Sequence, residues 1–389
     1  CDSGLIYVYE LPPIFNADLL RNCHDLDPWH SRCKAISNGG LGPRAAGIPS
    51  LPGNLSAAWH WTDMFSGEVI YHRRILKHEC RTEHPESATA FYIPFYAGIA
   101  VARYLFTNYS FRERDFLCDE LLRWIERQPP YKRSNGSDHV IMLGRMTWDF
   151  RRMKDADWGS GFIYKPQMKR IARLVVEKDP WDDLEISVPY PTGFHPNSKS
   201  ELNRWLRFVQ SHNRTSLFTF VGARRQVEND FRTILMDHCV AESRYCRAVD
   251  CSGTRCYDGT PEILSAFLSS DFCLQPRGDA YTRRSTFDCM LGGSIPVFFW
   301  RRSIEHQYEM FLGNRTSEFS VFIDRKKVRS GTSVRKVLES YGRDEVVRMR
   351  EKVISLIPRF VYSLGGGGGH KDAFDIAIDG VMRKLKDQE

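Results

Sequence analysis

Short apolar runs of strand length alternate along this chain with stretches whose apolar residues recur at helical spacing. Residues 4–9, Gly-Leu-Ile-Tyr-Val-Tyr, read as a buried strand ended by Leu11, Pro12 and Pro13. Residues 23–52, rich in Gly, Pro and Asn, read as a long surface loop braced by cysteines. From 59 to 80 the positions Trp61, Met64, Phe65, Val69 and Ile70 predict an amphipathic helix whose histidines and aromatics are packing residues. Residues 89–96 give a second strand, kinked or ended by Pro94. The loop after it, Tyr96-Ala97-Gly98, falls at a strand's carboxyl end, where open α/β sheets bind ligands. A helix over 111–127 closed by Pro129 and Pro130, a strand over 139–143 with exit loop 144–152, and a strand over 174–177 follow. The proline-rich run 188–196 leaves this first half.

The second half opens with a connecting helix over 198–212, a strand over 216–221, a turn from Gly222 to Arg225 and a helix around 229–239. Strands over 319–323, helices over 334–340 and 344–356, and a flexible glycine loop at 365–369 come later. A last helix over 373–386 has Phe374, Ile378, Val381 and Leu385 on one face and must dock on something. The alternation predicts α/β architecture with parallel sheets in two domains facing one another across a cleft.

Residues 272–300 hold the densest chemistry: an apolar strand, a basic loop, a helix, and a second strand at 295–299. The loop 277–284 carries Arg277, Arg283 and Arg284 where a helix begins, so guanidinium groups and free backbone N–H groups converge on an anion, most simply a phosphate. Ser285, Asp288, Cys289 and Gly292 occupy the helix, which places an acceptor for sugar hydroxyls near the arginines. Strand, glycine turn and Arg-bearing helix also occur at 216–239, so both units present donors at the same edge of one sheet.

Composition narrows the partners. With 389 residues the chain suits two domains. At 42% hydrophobic and 26% charged it has the balance of a soluble globular protein, and its +7 formal charge is spread rather than blocked. That favours a small anionic substrate and no nucleic acid. Eleven cysteines contain no CxxC pair. Five sequons, at Asn54, Asn108, Asn135, Asn213 and Asn314, favour the secretory pathway, where Cys23 with Cys33 and Cys251 with Cys256 become disulfide candidates and at least one thiol is left over. No apolar run reaches the roughly 20 residues of a membrane span, and the chain reads as an excised luminal domain.

Seven blocks, in order, carry a family likeness: IYVYELPPIFN, FYIPFYAGIAVARYLF, DHVIMLGRMTWDFRR, PYPTGFHP, FTFVGARR, FCLQPRGDAYTRRSTFDCMLGGSIPVFF and KDAFD. The chain resembles the exostosin-like glycosyltransferase family 47, and within it the plant xyloglucan galactosyltransferases. The resemblance implies a glycosyltransferase B fold of two Rossmann-like domains, a UDP-sugar donor, inversion at the anomeric carbon, and a Golgi luminal catalytic domain on a type II anchor absent from this chain. The expected domains are 1–197 on the acceptor side, 198–364 for the UDP-sugar, and 365–389 as a glycine loop and helix returning to the first. Expected partners are the UDP-sugar, xyloglucan polysaccharide or oligosaccharide, and other Golgi xyloglucan-synthesising enzymes.

For the donor diphosphate the candidates are Arg225, Arg232, Arg283 and Arg284, because arginine forks contact phosphate in pairs, each weighed against a plain surface charge. Gly222 forms the first turn; Ser285 and Thr286 add donors at the helix start. Asp288 is assigned the ribose on the family resemblance, against a helix salt bridge. Gln275, Pro276 and Gly278 read the base through close backbone approach. An inverting transfer needs a base for the acceptor hydroxyl. Asp149 is the first choice and His195 the second, though Asp149, beside Arg151 and Arg152, could simply pair with them. Trp148 and Tyr96 are candidate stacking platforms for acceptor sugars, against a place in the core. Asp279, a lone carboxylate beside arginines, is better explained by pairing than by a metal, so no metal cofactor is expected. The leading reading is transfer of galactose to xylosyl branches of xyloglucan in a β-1,2 linkage. The alternatives are a galacturonic acid or pentose donor such as arabinose, a non-catalytic lectin-like subunit of a Golgi synthase complex, and a sugar-nucleotide hydrolase. The hydrolase lacks the paired carboxylates it needs.

Overall fold

The computed structural model describes all residues except 28–30, 49–50, 106, 226, 228, 254–255, 257–259, 365–369 and 388–389, and the side chains of 53 and 54. The glycine loop 365–369 and the side chain of Asn54 therefore lie outside the described residues.

The chain forms two compact units. The first comprises Cys1–Pro43, Thr62–Pro191 and Ala373–Glu389, and the second Arg44–Trp61 and Thr192–Asp372. The expectation had the last segment returning to the first domain but did not include the excursion Arg44–Trp61, which joins the second unit. The excursion Arg44–Trp61 has a physical cause in Trp59, whose indole packs 5.5 Å from the Phe194 ring and 5.0 Å from that of Trp205. The backbone fixes it further: His60 N–H donates to the Gly193 carbonyl, and His195 N–H to that of Ala58. The helix expected over 59–80 consequently shrinks to Gly67–Ile75, since Trp59 and His60 are extended.

In the first unit six parallel strands, β1 (Ile6–Val8), β2 (Arg81–Thr82), β3 (Ala90–Ile93), β4 (His139–Met142), β5 (Ala172–Val175) and β6 (Glu185–Ser187), stand in the order β2-β1-β3-β4-β5-β6. Phe91, Ile93, Ile141 and Val175 from this sheet pack with Leu121, Leu122 and Ile125 from the helix Phe111–Ile125. That helix starts at a capping box made by Ser110 and Glu113. Pro129 and Pro130 do more than end it: they open the next helix, Pro129–Ser134, where a missing N–H costs nothing. The final helix, Ala373–Lys386, belongs to this unit. Arg74 holds Asp375 at 3.1 Å and lies over the Phe374 ring, which also meets Tyr71.

The second unit has five parallel strands, β7 (Ser216–Gly222), β8 (Cys246–Asp250), β9 (Ser270–Gln275), β10 (Ile295–Phe298) and β11 (Val321–Phe322), in the order β11-β10-β9-β7-β8. Apolar patterning missed β8 because it is an edge strand reading Cys-Arg-Ala-Val-Asp, only half sheltered. Five disulfides form: Cys1–Cys80, Cys23–Cys33, Cys239–Cys246, Cys251–Cys256 and Cys273–Cys289. They include both close pairs expected, and Cys118 is a buried thiol. Asn108, Asn135, Asn213 and Asn314 are exposed. Among the described residues no helix is long and apolar enough to cross a membrane.

Candidate active site

The order of the second sheet decides where its ligand site lies. From β7 the chain runs outward to β8, then returns past β7 to β9 and continues the other way to β10 and β11. Right-handed crossovers in opposite directions put the two following helices on opposite faces, which opens a crevice between the carboxyl ends of β7 and β9. Gly222 and Gln275 are the last residues of those strands.

Almost every expected donor residue meets there. The Arg225 guanidinium pairs with the Asp279 carboxylate, joining the β7 loop to the β9 loop. Arg283 makes a second tie, donating from Nη2 to the Val221 carbonyl at 3.2 Å. Gly222 has no side chain because a Cβ there would stand 3.0 Å from the Phe220 ring and 3.3 Å from Arg232 Nη2. Arg232 lies in the first turn of the helix Phe231–Ala241, which Asp230 caps. Burial, with the neighbouring charge of Arg225, holds the Arg232 guanidinium below its usual range, and its Nε is buried without a hydrogen-bond partner. Two cations forced together in a half-dry place favour an anionic ligand.

The helix Arg284–Leu291 begins on the other side, with Arg283 at its N-cap and no side chain capping it. Ser285 Oγ and Gln275 Oε1 are buried there without hydrogen-bond partners. Pro276 is buried, whereas nothing stands closer than 3.7 Å to where a Gly278 Cβ would be, so a planar base can approach that backbone. Thr286 is turned inward, its N–H bonded to the Arg283 carbonyl. Asp288 Oδ2 accepts from Arg284 Nε at 3.0 Å, and burial raises its pKa. Arg284 thus serves Asp288. The disulfide Cys273–Cys289 fastens this helix to β9.

Sequence reasoning missed Tyr281 and Arg302. The guanidinium groups of Arg277 and Arg302 lie 4.9 and 4.7 Å from the Tyr281 ring centre. The signal was available, since Arg302 follows β10 at the same sheet edge as the loops already chosen.

The remaining expected residues lie elsewhere. Asp149 is buried in a 3₁₀ turn, Thr147–Phe150, of the first unit. Its Oδ2 accepts from Arg145 Nε at 2.6 Å and its Oδ1 from the Trp158 indole at 2.9 Å. Each oxygen carries one hydrogen bond, and the residue is almost wholly buried. His195, in the second unit, is fully buried, with Nδ1–H donated to the Tyr362 carbonyl at 2.7 Å. Burial pushes its pKa down to about 3, which makes it a weak base at neutral pH. Tyr96 is a core residue packed with Leu26, Ile36, Val69 and Ile99 and bonded to His72 at 2.8 Å, so no sugar can stack on it. Trp148 is half-buried, its indole donating to Glu177 at 2.6 Å.

The carboxyl edge of the first sheet holds one acid the patterning gave no reason to select. Glu68 is buried and accepts from Gly98 N–H at 2.5 Å and Ile99 N–H at 3.1 Å, which anchors the turn after β3. Burial pushes its pKa up to about 8 against the opposing pull of those N–H groups and Arg145.

A family model described as the exostosin GT47 domain matches residues 1–340. Xyloglucan galactosyltransferase XLT2 of Arabidopsis thaliana is 54% identical over the whole of this chain and 76% of its own length. Xyloglucan galactosyltransferase MUR3 of the same plant is 38% identical over 99% of this chain and 63% of its own length, and xyloglucan-specific galacturonosyltransferase 1 is 35% identical over 99% and 58%. Among solved structures the GtfA/B complex aligns over 70% of this chain and 60% of its own, at 10% identity and a TM-score of 0.35. With a family model spanning most of its length and a relative 54% identical over all of it, this chain belongs to the exostosin GT47 family and is a glycosyltransferase.

Proposed function

We propose that the protein transfers galactose from UDP-galactose to xylosyl side chains of xyloglucan, forming a β-1,2 linkage with inversion, as the Golgi luminal catalytic domain of a type II membrane protein. The observation that carries this reading is the arginine-lined crevice at the switch point of the second sheet, and the likeness to XLT2 supports the choice of sugar and acceptor.

Arg225, Arg232 and Arg283 hold the diphosphate, with Ser285 and the open helix start adding donors. As the acceptor hydroxyl attacks the anomeric carbon, the bond to UDP breaks, the hydroxyl's proton passes to solvent water, and charge gathers on the diphosphate. Fixed guanidinium groups stabilise that charge without rearranging. Asp288 accepts from the ribose, and Gln275, Pro276 and Gly278 line the base. With Asp279 held by Arg225, the arginines supply the electrostatic role, and activity survives EDTA. Complete loss with rescue by manganese overturns that part. Asp149 acts as a positioning residue that orients Arg145 and Trp158.

The test is incubation with UDP-galactose, UDP-galacturonic acid and a UDP-pentose on xyloglucan lacking galactose, read by product mass. A hexose increment alone supports the proposal. A uronic acid or pentose increment gives the specificity to another donor, and no transfer from any donor overturns the reading.

A further inference from the structure

Several of the large apolar side chains exposed on the described surface come from the two connections that leave β4 and β5. They are Met153, Trp158 at 45% exposure, Tyr164 at 49% and Trp181 at 79%. Exposed indoles are costly unless something covers them. All four are built on or beside one turn. Trp158 donates its indole N–H to Asp149, inside the turn. Arg151, which closes it, lies 5.8 Å from the Tyr164 ring and 3.6 Å from Asp179, which accepts the Trp181 backbone N–H. Met153 follows two residues on. Arg151 is itself fixed by Thr147 at 2.7 Å and by Asp182 and Glu185 at 2.6 Å each. The rings stand in solvent on a rigid polar base.

Charge selects the occupant. Arg151 and Arg173 are matched by Asp179, Asp182 and Glu185, and Arg145 by Asp149. Unlike the crevice of Arg225 and Arg232, this surface has no surplus of cations for phosphate, uronate or an anionic lipid. It offers flat apolar faces edged by the partly buried carboxylates of Asp179 and Asp182. That suits a neutral polyhydroxylated chain, whose pyranose rings have C–H faces to stack and equatorial hydroxyls to donate.

We propose that this surface binds the main chain of a neutral β-linked glucan, with sugar rings stacked on Trp158 and Trp181 and hydroxyls donated to Asp179. The proposal rests on the reading of the protein as a transferase with a polysaccharide acceptor, and it assigns to the first unit a subsite for backbone sugars rather than for the reacting branch.

Affinity electrophoresis in native gels containing xyloglucan, without any donor, tests it. The wild type is retarded by xyloglucan and not by polygalacturonate. Trp181→Ala weakens retardation about fivefold or more, as the loss of one stacking face requires, and Trp181→Phe restores most of it. Trp181 is so exposed that its removal leaves the fold intact, which an unchanged thermal midpoint verifies. Retardation of Trp181→Ala equal to the wild type, or equal retardation by polygalacturonate, overturns the proposal. So does light scattering in which Trp181→Ala converts a dimer to a monomer while glucan retardation is unchanged. Because no donor is present, a protein that transfers a sugar other than galactose still passes this test.

Discussion

Arg283 is the residue on which the proposed donor site most depends, because it stands at the N-cap position of a helix and reaches the end of the neighbouring strand at Val221. Arg283→Ala should lower kcat/KM for the sugar nucleotide by about a hundredfold or more. Arg283→Lys should recover only part, since an ammonium lacks the planar fork. Steady-state kinetics at saturating acceptor measure both. Asp149 makes the opposite case. Asp149→Asn leaves the Arg145 guanidinium buried without its counter-charge and should cost about 3–5 kcal/mol in urea unfolding. A variant with normal stability and turnover reduced a thousandfold would restore Asp149 as the base. The convergence of these arginines at one sheet edge was legible in the sequence because each follows a strand and a glycine turn, and in a parallel sheet such turns lie at the same edge. Asp149 was also visible, but its two hydrogen-bond donors, Arg145 and Trp158, come from either side of it in sequence, and only folding shows that each oxygen carries one hydrogen bond.

At the scale of elements, the turn after β3 depends on Glu68 and on glycines that let it approach. A Cβ on Gly98 would stand 2.7 Å from Arg145 Cγ and 2.8 Å from the Leu143 carbonyl. Gly98→Ala should therefore destabilise the first unit by about 1–3 kcal/mol, read as a lowered urea midpoint. Glu68 also gives this region a pH dependence. It faces Arg145, Tyr92 and Tyr96, with His72 bonded to the Tyr96 hydroxyl. Its folded pKa, about 8, exceeds its ordinary value, so the native state holds the proton more tightly. The stability it contributes is complete below about pH 4.5 and is lost as pH rises through 8. His195 and His72 run the other way. Burial lowers them to about 3 and about 4, so their contribution is complete above about pH 6.5 and is lost as pH falls towards those values. Thermal midpoints should peak near pH 6–7, and Glu68→Gln should flatten the alkaline side while leaving the acid side in place. Helices such as Ala373–Lys386 were legible from apolar spacing, and so were strands with apolar runs. β6 and β8 were not, because their charged residues are held by neighbours that patterning cannot see, such as Arg151 on Glu185.

For the whole molecule, two α/β units were legible from the alternation of strands and helices, and the return of the last helix from its unsatisfied apolar face. The excursion Arg44–Trp61 was not, because it depends on Trp59 meeting Phe194 and Trp205 more than a hundred residues later. Truncation tests this architecture. A chain ending at residue 372 loses Phe374 from beneath Arg74 and leaves Tyr71 exposed, and it should be recovered in poor soluble yield, with hydrogen exchange accelerated in Gly67–Ile75 but not in β9 or β10. Arg74 and Asp375 stand 301 positions apart. During synthesis, then, the N-terminal unit emerges first and must wait unfinished while the second unit is made. It can close only when the last helix leaves the ribosome. The six strands of its sheet are all made by Ser187, so from there until Lys386 the unit waits without its last helix, and a dependence on chaperones follows from the connectivity.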